Sequence, residues 1–156
     1  MRGKTKFALG VTLAFMLAAA SIFFARSASA SKFIFQNTLD NGIYVAVAYY
    51  DGASGSWVTQ GWWAVDGNNS MMFTIENVDI EQSVYYVGIN RDNFYLDSST
   101  LNSDFVNRWV LGYNFRFDGK KNDRPADENI RLVRFYKCRY SDGSGAYVVR
   151  IDAKMS

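Results

Sequence analysis

Hydrophobic positions in this chain recur in short runs that turn residues separate. From Lys32 onward, runs rich in Val, Ile, Phe, Tyr and Trp alternate with Asn-Gly and Asp-Gly pairs. Such pairs favour tight turns, and apolar alternation with a period of two is typical of β-strands. Seven to nine short strands in about 120 residues predict an all-β domain, specifically an antiparallel β-sandwich.

The individual runs predict the order of the strands. In chain order they span 32–36, 43–50, 57–66, 70–75, 84–89, 108–117, 130–140 and 146–152. Asn41-Gly42 favours a hairpin between the first two strands, and 141–145 favours a closing hairpin between the last two. Segment 43–50 is apolar on both faces, so it is either covered on both or shows tyrosines to solvent. We expect 90–107 to be a loop with one helical turn near 98–101.

Two strands carry more detailed predictions. The clearest alternation, over 108–117, places five large side chains on one face, which we expect to be core: Trp109, Leu111, Tyr113, Phe115 and Phe117. In 130–140 the apolar phase shifts between Leu132 and Val133, and this predicts a β-bulge there.

The first 30 residues differ from the rest of the chain. Three basic residues precede an uncharged apolar run over 7–24, and small residues stand at Ala28 and Ala30. This order is typical of a signal peptide, helical in its apolar part and cleaved after Ala30. It predicts a signal peptide over 1–30 and a single domain over 31–156, exported to the periplasm or the extracellular space. The alternative is a retained membrane anchor, because the run nears the roughly 18 residues that a span needs.

Charge and residue types exclude several kinds of chemistry. Loss of 1–30 leaves 13 of the 17 basic residues against all 15 acidic ones, a net charge of −2. The remaining sequence has no basic stripe, which is the feature that would indicate a nucleic-acid partner. The chain has no His, which removes Ser-His-Asp and Cys-His catalysis and His-based zinc sites. The acidic loop lacks the ligand spacing of a known calcium loop, so we expect neither a metal nor a cofactor; its members are Asp118, Asp123, Asp127 and Glu128.

Cys138 is the only cysteine, so an internal disulfide cannot form. We expect a half-buried strand residue, with an intermolecular disulfide as the alternative. Four basic residues crowd the same predicted strand: Arg131, Arg134, Lys137 and Arg139. They either protect an exposed sheet edge or form a patch for an anionic ligand.

Three of the four tryptophans lie within seven residues, at Trp57, Trp62 and Trp63. Trp62 and Trp63 are neighbours on a strand and therefore face opposite sides of the sheet. One interpretation packs all three in the core. The other is an aromatic platform that stacks on sugar rings or on an apolar partner surface, joined by surface tyrosines at 44, 50 and 86.

Several segments together resemble the bacterial domain of unknown function (DUF) 1036 family. The matching elements are Gln36-Asn37-Thr38, Val45-Ala46-Val47-Ala48-Tyr49, Trp57 with Gly61-Trp62-Trp63, Ser83-Val84-Tyr85-Tyr86-Val87 and Phe115-Arg116-Phe117-Asp118-Gly119. The chain departs from the family at Gln36, where the family has Cys, and at 66–69, where it has Pro-Gly-x-Cys. If those cysteines pair in relatives, this chain lacks that disulfide. The resemblance implies an exported or envelope-associated domain, and it supplies neither an activity nor catalytic residues.

These observations favour a non-catalytic binding or structural module of the cell envelope. Its expected partner is an envelope protein or a glycan, and its candidate binding residues are Trp57, Trp62 and Trp63. The competing hypothesis is a small glycan hydrolase that uses a pair of carboxylates across a cleft. If the N-terminal segment is retained, the protein becomes a membrane-tethered accessory subunit.

Overall fold

The computed structural model describes residues 29–91, 93–100, 104–119, 124 and 126–155 of the 156-residue chain. Within these residues the fold is almost entirely β, which confirms the predicted fold class. The apolar part of the predicted signal peptide, 7–24, lies outside the described residues. The predicted cleavage point after Ala30 lies within the first strand, whose Ser29 pairs with Val78.

The described residues form twelve strands, more than the seven to nine expected, because three of the twelve have four residues or fewer. In chain order the elements are β1 (Ser29–Asn37), β2 (Ile43–Asp51), β3 (Ser56–Val65), β4 (Asn69–Val78), β5 (Tyr85–Asn90), β6 (Asn93–Leu96), a 3-10 helix (Ser98–Thr100), β7 (Phe105–Leu111), β8 (Phe115–Gly119), β9 (Ile130–Lys137), β10 (Arg139–Ser141), β11 (Ala146–Ile151) and β12 (Ala153–Lys154). The 3-10 helix stands where a helical turn was predicted.

The strands form one continuous, mostly antiparallel sheet in the order β10-β11-β1-β4-β2-β5-β6-β12. β3 pairs with β2 and carries β8, while β9 pairs with β5 and carries β7. The exception to antiparallel pairing is β1 with β11, which run parallel with Phe33 opposite Tyr147. This pair joins the first described strand to one near the end of the domain. Parallel neighbours cannot be connected by a tight turn, so they come from distant parts of the chain.

β2 is the central strand, and both of its faces contribute to a core, although Tyr44 near its start is exposed. Val45, Val47 and Tyr49 belong to a first core cluster, which also contains Phe33 and Phe35 from β1. Ala46 and Ala48 face the other way into a second core cluster, which is completed by β5, β7, β8 and β9. The doubly apolar pattern of β2 in the sequence follows from this central position.

The hairpin predicted at Asn41-Gly42 is wrong. β1 pairs with β4 and β11, whereas β2 pairs with β3 and β5. The side chain of Asn37 fixes this connection instead, because its Nδ2 donates to Asn41 O at 2.9 Å and to Val65 O at 3.2 Å. A turn signal between two apolar runs therefore bridges strands that are not neighbours in the sheet.

The single strand predicted over 108–117 is also wrong, because the chain bends over 112–114 and divides it into β7 and β8. The buried face of β7 carries Val106, Arg108 and Val110. Trp109 is consequently half-buried on the opposite face, and Tyr113 is 53% exposed. Leu111 and Phe115 are buried as expected, since both join the second core cluster.

The predicted β-bulge near Leu132 and Val133 is absent, because the β7–β9 register runs unbroken from Phe105 opposite Tyr136 to Leu111 opposite Ile130. The closing hairpin is confirmed between β10 and β11. No helix among the residues described here is long and apolar enough to cross a membrane.

Candidate functional site

All three candidate tryptophans lie on β3 and all three are half-buried. Trp62 packs against the second core cluster and Trp63 against the first, as alternation along the strand predicts. The three residues therefore do not share one face. Of the three proposed surface tyrosines, Tyr44 is 53% exposed, Tyr50 is half-buried and Tyr86 is in the core.

Trp57 is enclosed by other side chains. Tyr50 meets its ring edge-on at 6.0 Å, Tyr85 is tilted against it at 6.1 Å, and the Arg108 guanidinium lies 4.5 Å from its centroid. Arg108 is only 3% exposed, and burial lowers its pKa to about 10. An arginine on the inner face of β7 is stabilised there by the electron-rich indole ring, and this contact explains why the alternation of 108–117 was misleading.

Trp62 occupies a register shift between β2 and β3. Val45 is opposite Trp63 and Ala46 is opposite Gly61, so Trp62 is the extra residue and forms the bulge. The peptide bond between Gly61 and Trp62 is cis. A Cβ at Gly61 would lie 2.6 Å from the Ala46 Cβ, and glycine is therefore needed where the two strands approach closely.

Two hydrogen bonds hold Trp62 in this position. Its Nε1 donates to Leu111 O at 2.8 Å, and its backbone N–H donates to Asn114 Oδ1 at 3.1 Å. Phe115 meets the indole ring edge-on at 5.6 Å. The side chain is consequently fixed by the end of β7, the bend at 112–114 and the start of β8.

Trp63 is part of the hydrophobic packing on the other face of β3. Its ring stacks on Phe73 at 4.3 Å with an interplanar angle of 17°. Phe73 in turn stacks on Phe33 and Phe35 of the first core cluster. Trp63 therefore extends the hydrophobic core toward the surface.

A cleft of about 350 Å³ opens beside Trp62, and we call it the Trp62 cleft. Its aromatic lining is Tyr44, Trp62 and Tyr113, and its polar lining is Arg91, Asn114 and Arg131. These side chains come from β2, β3, the β5–β6 turn, the bend between β7 and β8, and the start of β9. This size and this mixture of aromatic faces with a few polar groups are typical of small-ligand sites.

Tyr113 forms one wall of the Trp62 cleft and is tied to the loop before β9. Its hydroxyl donates to Asp127 Oδ2 at 2.6 Å. This hydrogen bond raises the pKa of Tyr113 and lowers the pKa of Asp127. Because the phenol proton is committed to Asp127, the Tyr113 oxygen is left to accept a hydrogen bond.

A second depression of about 410 Å³ adjoins the cleft, and Trp62 and Asn114 line both. Arg116 lines this depression and holds a polar network together. Its guanidinium donates to the Tyr49 hydroxyl at 3.0 Å and to Gln60 Oε1 at 3.0 Å. Burial raises the pKa of Tyr49, and this effect outweighs the opposing one of the Arg116 charge.

Arg116 also binds two carboxylates, Asp51 at 3.4 Å and Asp118 at 3.1 Å. Asp51 is buried, and its Oδ1 accepts the backbone N–H groups of Ala53 and Ser54. A hydrolytic pair needs two carboxylates that face each other across a gap holding the substrate. Here a guanidinium group lies between the two carboxylates, so this pair lacks that geometry.

The four basic residues near the end of the chain do not form one patch. Arg134 lies 4.3 Å from the Phe105 ring centroid, Lys137 is 4.0 Å from Asp104, and Arg139 donates to Ser99 O at 2.8 Å. Arg131 is separated from them and lines the Trp62 cleft. Of the four, Arg131 is therefore the one that lies at the Trp62 cleft.

Cys138 is more deeply buried than expected, at 5% exposure between β9 and β10. Burial raises the pKa of its thiol well above the ordinary value. Of the acidic loop, Asp123 lies outside the described residues, while Asp127 binds Tyr113. The part of the chain that the structure describes contains no cluster of potential metal ligands.

Sequence reasoning missed Arg91 and Asn114 and placed Tyr113 in the core. Arg91 was assigned to an unstructured loop, although it follows β5 directly and has a φ of 53°. A non-glycine residue with positive φ marks a tight turn, but the local sequence carries no signal for it beyond Asn90.

No protein-family model, curated protein or solved structure matches this chain. The resemblance to the DUF1036 family therefore stays a prediction that rests on the quoted sequence elements.

Proposed function

We propose that this protein is a non-catalytic binding module of the bacterial cell envelope and that the Trp62 cleft is its binding site. The observation that carries the proposal is the cleft itself, in which three aromatic side chains and three polar ones converge around about 350 Å³. Export rests on the N-terminal sequence, and the envelope assignment rests also on the DUF1036-like elements.

The positions of the aromatic side chains support binding. Tyr44 stands on the central strand β2, where it pairs with Ile89 of β5. Trp62 is fixed by hydrogen bonds at both its indole and its backbone. Rigid aromatic faces bind a ligand at a low cost in conformational entropy, because few torsions have to be ordered.

The ligand class that we propose is a glycan. Flat aromatic faces stack on the apolar faces of sugar rings, and the neighbouring polar groups provide the directional contacts that hydroxyl groups need. Asn114 accepts the Trp62 backbone N–H through Oδ1, which leaves its amide nitrogen as a donor. Tyr113 contributes the acceptor described above.

The carboxylates beside the tryptophans support the non-catalytic part of the proposal. Asp51 and Asp118 both bind Arg116, and Asp51 additionally accepts two backbone N–H groups. Both carboxylates therefore have structural partners, and the Arg116 guanidinium lies where a substrate would have to fit between them.

Native gel electrophoresis in the presence of soluble polysaccharides tests the proposal. The full protein should be retarded by at least one member of a panel that contains neutral and acidic polymers. Tyr44→Ala should reduce the retardation, because it removes an exposed cleft face. The matched control is Tyr140→Ala, since Tyr140 is 49% exposed and does not line the cleft.

Thermal denaturation of both variants establishes that they remain folded. If no polysaccharide retards the protein, or if Tyr44→Ala and Tyr140→Ala behave alike, the Trp62 cleft is not a glycan site.

A further inference from the structure

Both charged side chains among the described residues that line the Trp62 cleft are basic. Arg91 and Arg131 contribute two guanidinium groups, and no Asp or Glu is found among its described lining residues. A guanidinium group binds a carboxylate through two parallel hydrogen bonds, and this makes it a strong and selective partner for that anion. The charge of the lining is therefore complementary to an acidic ligand.

Arg91 is held on the same side of the cleft as Tyr44. It follows β5 in a tight turn with φ of 53°, and Ile89 two residues earlier pairs with Tyr44. Asn90 fastens this turn by donating from Nδ2 to Gly42 O at 2.5 Å. The guanidinium group and the Tyr44 ring are thus carried by adjoining strands.

Arg131 reaches the cleft from a different element. It is the second residue of β9 and lies opposite Val110 of β7. The next pair in this ladder contains Leu111, whose carbonyl accepts the Trp62 indole N–H. The ladder therefore ties the positions of Arg131 and Trp62 to each other.

We infer that the glycan bound in the Trp62 cleft is an acidic one, and that a sugar carboxylate lies between Arg91 and Arg131 while the ring rests on the Tyr44 or Trp62 side chain. This inference rests on the proposed function and adds the charge of the ligand to it. The Tyr113 acceptor and the Asn114 donor then serve the hydroxyl groups of the same ring. A purely apolar ligand would cover these polar groups without pairing them, which is costly.

Isothermal titration of the full protein with trigalacturonate and with its methyl ester tests the charge directly. The two probes have the same ring and differ in charge at the carboxyl group. The acid should bind at least tenfold more tightly than the ester at low ionic strength, and its affinity should fall as salt screens the arginines. Arg91→Gln should abolish the preference for the acid. Arg91→Lys should keep part of it, because the charge remains without the bidentate geometry.

Arg150→Gln is the matched control, since Arg150 is an exposed arginine on β11 that does not line the cleft. It should leave both affinities unchanged. Arg131→Gln provides a second variant at another element if Arg91→Gln does not fold.

Three outcomes overturn the inference. Equal affinities for acid and ester mean that the cleft binds sugar without discriminating by charge. The proposed function then remains, and the inference of an acidic ligand fails. Binding of glucose 6-phosphate in preference to trigalacturonate means that the anion is a phosphate. Failure of both galacturonate probes overturns the acidic-glycan assignment, and the polysaccharide panel then decides the proposed function separately.

Discussion

Trp62→Phe separates the structural role of Trp62 from its role in a binding site. The substitution keeps an aromatic ring against Phe115, whose centroid lies 5.6 Å from that of Trp62. It removes the indole N–H that donates to Leu111 O at 2.8 Å. A buried hydrogen bond contributes about 1 kcal/mol, and a carbonyl that loses its partner costs about 1–3 kcal/mol when it is shielded from water.

Because Trp62 is half-buried, we expect the lower part of this range, about 1–2 kcal/mol of unfolding free energy. Urea unfolding followed by circular dichroism measures it. With a slope of about 2 kcal/mol per molar urea, the midpoint should fall by roughly 0.5–1 M. Trp62→Ala should cost more, about 3 kcal/mol, because the ring contact is lost as well.

The matched control is Trp63→Phe. Its described contact is a ring stack on Phe73 at 4.3 Å, which a phenyl ring also makes, so the loss should be smaller than for Trp62→Phe. If Trp62→Phe is as stable as the wild type, or if the two Phe variants lose equal stability, the indole hydrogen bond does not fix the Trp62 side chain. Trp62 would then not be a rigid wall of the cleft.

Three further predictions concern parts of the fold outside the cleft. Gly67→Ala should destabilise the protein by about 3 kcal/mol in urea unfolding, because a Cβ there would overlap the backbone oxygen of Asp40. The control is Gly143→Ala, whose Cβ would meet nothing within 4 Å, and equal midpoints would contradict the close approach at Gly67. The buried Cys138 thiol, whose pKa is raised, should react with a disulfide reagent only after unfolding; rapid labelling of native protein or a disulfide-linked dimer would contradict its burial. Burial raises the pKa of Tyr147 from 10.0 to about 12, so the stability that depends on its protonated form should be lost as pH rises between these values. The unfolding free energy of Tyr147→Phe should therefore depend less on pH in that range than that of the wild type. An unchanged pH dependence would contradict this prediction.

The all-β class was predictable because it follows from local alternation and turn residues. β2 shows this most clearly. Its two apolar faces predicted a strand that is either covered on both faces or shows tyrosines to solvent; Val45 and Ala46 do pack into different core clusters, and Tyr44 is exposed. The opposite orientations of Trp62 and Trp63 were predictable for the same reason.

Features that depend on pairing between distant strands were not predictable. The chain does bend over 39–41, but nothing local indicates that β1 pairs with β4 and β11. Arg108 interrupts the apolar face of β7 and is stabilised there by the Trp57 ring. Because Trp57 is distant in sequence, the local pattern could not indicate this contact.

The Trp62 cleft belongs to this second kind of feature. Its lining comes from five separate elements, and Arg91 and Asn114 lie in short connections that have no periodic pattern. Tryptophan clustering drew attention to β3, and yet only Trp62 of the three candidates lines this cleft. The aromatic residues that accompany it, Tyr44 and Tyr113, were assigned to a platform and to the core.

Backbone amide chemical-shift mapping during titration with trigalacturonate shows whether an acidic glycan enters the Trp62 cleft. We expect the largest shifts at residues that line this cleft, namely Tyr44, Trp62, Arg91, Asn114 and Arg131. The amides of Trp57 and Trp63 should move less, because neither residue lines that cleft. Shifts that centre on Trp57 or on the Trp63–Phe73 stack, or that are absent at saturating ligand, would contradict it.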